Sequence, residues 1–256
     1  SFSSADASQG WAGLRFERAD AQVISNILVE GASTGVSIVS SPDVHIEHST
    51  FRDNSIGVRL ISDDGVRNRV NRIQNSEFYG NDVAISVSST GLDASENLIQ
   101  GEGHGIVLSG GSCGGGTVCG WRASIKNNLF NASGTAIRSY GFFLDVTLND
   151  IYNANVGMDI DMLSGRVPHV IDQNNIQGWQ TVGVANRSQD PLNIEGVWLS
   201  DSDKKFAVCD IYENIARGKI SYAANSAQFE NVHGYDLPLV ADSGVQDGES
   251  YCPDDG

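Results

Sequence analysis

An all-β, single-stranded right-handed parallel β-helix, with loop insertions and an irregular C-terminal cap, is the fold that this 256-residue sequence predicts. The first of three observations is a recurring small residue: Gly13, Gly35, Gly57, Ala84, Gly105, Ala136, Gly157 and Gly183, spaced by 22, 22, 27, 21, 31, 21 and 26. A polar column keeps step eight residues ahead, at Ser49, Ser76, Asn97, Asn128, Asn149 and Asn175, with Phe51, Phe78, Ile99, Phe130 or Ile151 two positions further on. Short alternating stretches rich in Val, Ile and Phe fill the rest of each repeat, without the Leu framework of a leucine-rich repeat. A turn of about 21 or 22 residues cannot bury its apolar face alone, whereas stacked turns share a continuous core. At a strand spacing of about 4.8 Å the visible turns make a rod on the order of 40 Å long.

The turns are read in order as "WAGLRF", "STGVSI", "SIGVRL", "DVAISV", "GHGIVL", "GTAIRS", "NVGMDI" and "TVGVAN", each a small residue, an apolar one and then alternation. The longer spacings locate insertions in "SDDGVRNRV" (62–70), "SGGSCGGGTVCGW" (109–121) and "DMLSGRVPH" (161–169). The repeat is lost at Gln177, and beyond about residue 190 it degrades. Residues 1–190 are therefore read as the rungs, and 191–256 as irregular last rungs with an acidic cap of the same domain. Both ends of a solenoid need covering. Ten residues precede the first rung, so missing upstream residues or a neighbouring copy of the chain are expected to complete it. The start at Ser1, without an initiator Met or signal peptide, is read as processed or cut.

Composition narrows the function. The net charge of −16 argues against nucleic acid, which needs clustered Lys and Arg, and against unaided binding of a strongly anionic polysaccharide. Calcium or a neutral glycan fits better. No apolar run is long enough for a transmembrane segment. The four cysteines are read as two disulfides, Cys113 with Cys119 and Cys209 with Cys252, the alternatives being free thiols or metal binding by the close pair. Disulfides imply an oxidising setting, extracellular or periplasmic, and the chain is read as secreted, extracellular or on a cell or virion surface. "NAS" (131–133) and "NRS" (186–188) are N-glycosylation acceptors only in a eukaryotic source.

With the repeats laid out, the chain resembles the pectin-lyase-like β-helices, nearest to bacterial secreted and surface proteins of weak β-helix repeats. "GWAGLRFERADAQVISNILVEGA" (10–32) is similar to a rung common there, and the resemblance covers roughly residues 10–185. It implies the fold; the architecture hosts hydrolases, lyases, adhesins and structural rods alike.

"GEGHGIVLSGG" (101–111) also resembles the Gly-His-Gly signature of the polygalacturonases, in which paired carboxylates act as general acid and water-activating base. On the corresponding turns the Asn-Thr-Asp-Gly slot reads Asn54-Ser55-Ile56-Gly57, the Asp-Asp slot reads Asp82-Val83, and the Arg-Ile-Lys slot reads Arg138-Ser139-Tyr140. Asp82, His104 and Arg138 remain as catalytic candidates, while two of three carboxylates are missing. Strand parity gives His104 the inner face and Arg138 the outer one, which makes His104 a hydrogen-bonded, partly buried rung residue. Arg166 and Pro168 resemble the Arg-x-Pro segment of pectate lyases, without its second Arg or the calcium-binding acids.

The outward columns hold a candidate ligand face of Arg138, Tyr140, Asp159 and Asp161, with Tyr140 as a stacking surface for a glycan. Arg138 with Asp159 and Asp161 with Arg187 are expected to pair across rungs. For metal, His45 and Glu47 share a face but His48 opposes them, and no site is expected there; Asp63 and Asp64 are weak candidates for calcium. The leading function is an extracellular structural, adhesive or glycan-binding module without catalysis. The alternative is a polysaccharide hydrolase or lyase of the pectin and uronate type.

Overall fold

The computed structural model describes residues 1–3, 10–62, 70–101, 103–110, 120–161, 169–187, 192, 196–199 and 208–210. Every regular element among them is a β-strand, and the paired strands run parallel. One nine-stranded sheet stacks Leu14–Glu17, Thr34–Val39, Ile56–Ile61, Val83–Ser88, His104–Ser109, Thr135–Tyr140, Val156–Asp161, Val182–Asn186 and Val208–Asp210. A second path climbs from Val23–Ser25 to Phe142–Thr147, crosses at the long strand Val170–Gln177, and descends a further face from Asp150–Tyr152 to Leu28–Glu30. Each turn thus spends one strand on each of three faces. This is the β-helix that the double periodicity predicts.

The small residues form one column, since Val36 pairs with Val58 and Ile85 with both Val58 and Ile106, which sets Gly35, Gly57, Ala84 and Gly105 side by side. Their role comes from the opposite face. A Cβ built on Gly35 would stand 3.1 Å from Cδ1 of Phe51, one on Gly57 2.9 Å from Phe78, and one on Gly105 2.9 Å from Phe130. The rings of Phe51 and Phe78 stack with centroids 5.0 Å apart. By the same register Ala84 faces Ile99 and Ala136 faces Ile151. The three Phe rings are each met by Gly, and Ile99 and Ile151 tolerate a methyl, although Gly157 meets Ile176. A close-packed interior enforces such trades of volume.

The polar column is a buried ladder. Asn97 Nδ2 donates to Asn128 Oδ1, Asn128 Nδ2 to Asn149 Oδ1, and Asn149 Nδ2 to Asn174 Oδ1, each at 2.9 Å. The same oxygens accept the backbone amides of Asn97, Asn128 and Asn149 at 3.0 Å. The residue before each rung of the ladder turns the chain with a positive φ, at Asn75, Glu96, Asn127, Leu148 and Gln173 among others. The ladder continues through Asn174, not Asn175 as the eight-residue spacing predicts. Thr147 pairs with Asp172, Asp150 with Asn175 and Tyr152 with Gln177, whereas Val156 pairs with Val182, so the corner between Gln177 and Val182 holds one residue more than the corner before it. Asn175 instead donates to Asp150 Oδ1 at 2.6 Å. The repeat therefore survives at Gln177, because Ile176 takes the place after Ile151 in the apolar column. A second pair, Asn54 and Asn81, bridges two turns at another corner at 2.9 Å.

At the N-terminal end the Phe2 amide donates to the Leu28 carbonyl at 2.7 Å, and the Glu30 amide to the Phe2 carbonyl at 3.0 Å. Trp11, Leu14, Phe16 and Ile27 pack on the core while only partly buried. Cys113, Cys119 and Cys252, the acidic Asp63 and Asp64, Arg166, Pro168 and residues 211–256 lie outside the described residues. For Cys209 the backbone alone is described, paired with Ala185.

Candidate functional site

The outer surface of the nine-stranded sheet carries the candidate residues. Within each strand the small residue and the next one are both buried, as at Gly57 and Val58 or Gly105 and Ile106. Two inward positions in succession break the alternation, because the chain bends into the corner there. The residue before the small one sits at the corner, half-buried at Thr34, Ile56, Val83, His104 and Val156 and buried at Thr135 and Val182. Parity along a flat strand assigns His104 to the inner face; it lies at the corner instead, half-buried and hydrogen-bonded as expected of a rung residue.

His104 and Arg138 consequently share a surface. The Thr135 amide donates to His104 Nδ1 at 3.0 Å, and Arg138 Nη2 donates to the Thr135 hydroxyl at 3.3 Å. An Nδ1 that accepts leaves the ring proton on Nε2. Burial holds the His104 imidazole below its usual value, and the positive charge of Arg138 pushes it further down. The neutral ring is favoured. Thr135, which links the two, is a residue that reading the columns singly does not find.

Asp82 is exposed, and its carbonyl accepts the His104 amide at 2.8 Å. Hydrolysis by inversion would pair it with a second carboxyl roughly 6.5–9.5 Å away. Asp159 and Asp161 of this face stand three turns further along the stack, about 14 Å at the usual strand spacing. The candidates are brought to one face, but Asp82 is not brought to these acids.

Asp159 is the centre of the face. It is only 5% exposed, although its column points outward. Arg138 Nε lies 3.4 Å from Oδ2, and Arg187 Nε donates to Oδ1. The first contact is the pair expected from the columns; the second replaces the expected pairing of Arg187 with Asp161. Asp159 stands beside Ala185, whose short side chain leaves Arg187 room to reach back. Asp161 remains next to this cluster, and burial raises its carboxyl above the usual value, as does the charge of Asp159, against the opposing pull of Arg187. Tyr140, directly across from Asp161, is 50% exposed. Two guanidinium groups held by one buried carboxylate, with a free-standing aromatic ring alongside, form a rigid polar surface with donors, acceptors and an apolar face.

Connectivity adds a second feature. The insertions 62–70, 109–121 and 161–169 all leave from the C-terminal ends of strands of this sheet, Ile56–Ile61, His104–Ser109 and Val156–Asp161. They attach along one edge of the candidate face.

The described histidines are dispersed. His169 Nδ1 accepts the Leu144 amide at 3.1 Å while its ring packs 6.0 Å from that of Phe143. His45 stands across from Arg72, and His48 turns a corner at a φ of 48°. Among the described residues no three His, Cys, Asp or Glu side chains gather as a metal site. Asp159, saturated by two arginines, is a poor seed for calcium.

Comparison with known families returned a profile described as Periplasmic copper-binding protein (NosD), matched over residues 3–185. No curated protein and no solved structure matched the chain. None of these comparisons shows a likeness to polygalacturonases. Copper favours soft nitrogen and sulfur donors. The described histidines are separated, and Met158 is wholly buried, so these residues do not fit a copper centre. Cys113 and Cys119, within the matched segment, lie outside the described residues. A profile covering most of the chain and a stack of parallel β-helix turns agree: the chain belongs to the NosD family of right-handed parallel β-helices.

Proposed function

We propose that this chain is a non-catalytic binding module of the cell envelope that holds a glycan on the face formed by Arg138, Tyr140, Asp159 and Asp161. The envelope follows from the family's description as periplasmic. One observation carries the glycan: an exposed Tyr140 beside a buried Asp159 that fixes two guanidinium groups. Sugars offer an apolar ring face and vicinal hydroxyls, which an aromatic ring and paired donors and acceptors match. Holding both arginines in place before binding lowers the ordering cost of the complex.

A glycan array followed by calorimetry tests the reading. Tyr140→Ala is expected to weaken the best ligand at least tenfold, while His104→Asn leaves it unchanged. Wild-type binding that survives Tyr140→Ala and Asp161→Asn together would overturn it. A second reading is favoured by the contact of His104 with Arg138 through Thr135: a polysaccharide hydrolase or lyase using Asp82, His104 and Arg138. Release of reducing ends by the wild-type chain, abolished by Asp82→Asn, would select it. Copper is not assigned to this face.

A further inference from the structure

We infer that the ligand is a neutral, linear glycan that runs along the axis of the stack, one sugar per turn, over Ser88, Ser109, Tyr140, Asp161 and Arg187. This rests on the glycan reading and adds direction, length and charge to it. The first four residues are consecutive partners in register, Ser88 with Ser109, Ser109 with Tyr140 and Tyr140 with Asp161, and Arg187 follows Asn186, the partner of Ile160. They recur once per turn, at a strand spacing of about 4.8 Å. An extended chain of equatorially linked pyranoses advances by a distance close to that spacing with each sugar. Each ring would meet one residue of the column.

Chemistry also bounds the run. Below Ser88 the column continues as Ile61 and then Val39, which is 4% exposed. Hydroxyl groups find no partner there. From Ser88 on, every position offers a hydroxyl, a carboxylate or a guanidinium. Ser88 and Ser109 are short, so the surface is low before Tyr140, and a ring lying over them can rest against the Tyr140 side chain. The parallel column of Ser86, Val107, Arg138 and Asp159 flanks this path on one side. The insertions 62–70, 109–121 and 161–169 leave the sheet on the other.

Charge decides neutrality. The chain carries −16 overall, which repels a polyanion at a distance. At the face itself two arginines and two aspartates balance, and Asp159 takes up guanidinium donors that a uronate would need. A neutral sugar meets no such competition.

The test uses the full chain with cello- and manno-oligosaccharides of two to six sugars, and oligogalacturonides of equal length. Affinity for one neutral series is expected to rise with each sugar to about five and then level off. Ser88→Trp, at the far end from Arg187, is expected to weaken the hexasaccharide about tenfold and leave the disaccharide within about twofold. Oligogalacturonides should bind at least tenfold less well. Affinity independent of length, still lost in Tyr140→Ala, would overturn the axial path and leave the glycan reading standing. Tighter binding of the oligogalacturonides would overturn neutrality. No binding of any glycan on a wider array would overturn both.

Discussion

The ladder of Asn97, Asn128, Asn149 and Asn174 and the run of Arg138, Asp159 and Arg187 both carry polar side chains from turn to turn, one inside a corner and one on an outer face. In the ladder Asn128, Asn149 and Asn174 do the same thing in turn: the oxygen accepts two N–H groups from the preceding turn, and the nitrogen donates to backbone carbonyls as well. No donor or acceptor is left for a ligand. In the outer run no residue repeats its neighbour, and the arrangement depends on Ala185 being short enough for Arg187 to reach Asp159. A polar column that repeats is satisfied by the fold; one that changes at each turn keeps groups available to something else.

The largest effect that would break this contrast is in the ladder. Asn128→Leu removes an amide that bonds Asn97, Asn149, Ala94 and Lys126, all within a buried corner. Unpaired buried groups of this kind cost about 3 kcal/mol or more. Urea unfolding is expected to show a loss of that size. The corresponding change outside, Arg138→Leu, should stay below about 1 kcal/mol; equal losses would erase the distinction.

Gly57→Ala comes next. Its Cβ would lie 2.6 Å from the Ala84 carbonyl oxygen and 2.9 Å from Phe78, so the core must shift, at about 2 kcal/mol. Adding Phe78→Ile recreates the Ala84 and Ile99 combination, and thermal unfolding of the double variant should recover part of the loss. A double variant no better than the single one would mean that the two columns are not coupled.

Leu148 is expected to respond in the opposite direction. It occupies the left-handed corner, with a φ of 60°, where other turns use Asn26, Asn75 and Asn127. Non-glycine residues other than Asn and Asp pay a steric penalty there, so Leu148→Asn should raise stability by about 1 kcal/mol. A lower melting temperature would show that the Leu148 side chain contributes more by packing than its backbone costs.

The smallest effect belongs to the outer face. The Asp161 carboxyl titrates above its ordinary 3.8, so its charged form costs the folded chain stability as pH rises through the shifted value. Asp161→Asn should therefore stabilise the chain at neutral pH by a few tenths of a kcal/mol, and the gain should vanish below the ordinary carboxyl range. A gain that persists in acid would point to packing. The same substitution weakens the proposed ligand, trading stability for function.

Much of the fold could be read from the letters. Hydrophobic and polar positions recur because each turn must present the same face to the turns on either side, and that requirement leaves a period in the sequence. Even the insertions could be located by their longer spacings. The misreadings fell where local geometry departs from the repeat. One extra residue between Gln177 and Val182 moved the ladder from Asn175 to Asn174. Two successive inward residues at the bend left His104 half-buried at the corner, against the parity of an ideal strand. Neither departure changes residue type in a way that period counting can register.

Periodicity was enough for the β-helix, its columns, its corners and the ion pair of Arg138 with Asp159, since these depend on what repeats. Three things waited for the third dimension: the facing of Gly by Phe across the core, the burial of Asp159 between two arginines, and the attachment of the insertions along one edge of the Tyr140 face. Each depends on which residues of different faces or turns come within reach of one another. The number of residues in each corner sets that distance, and the chemical identity of a column does not encode it.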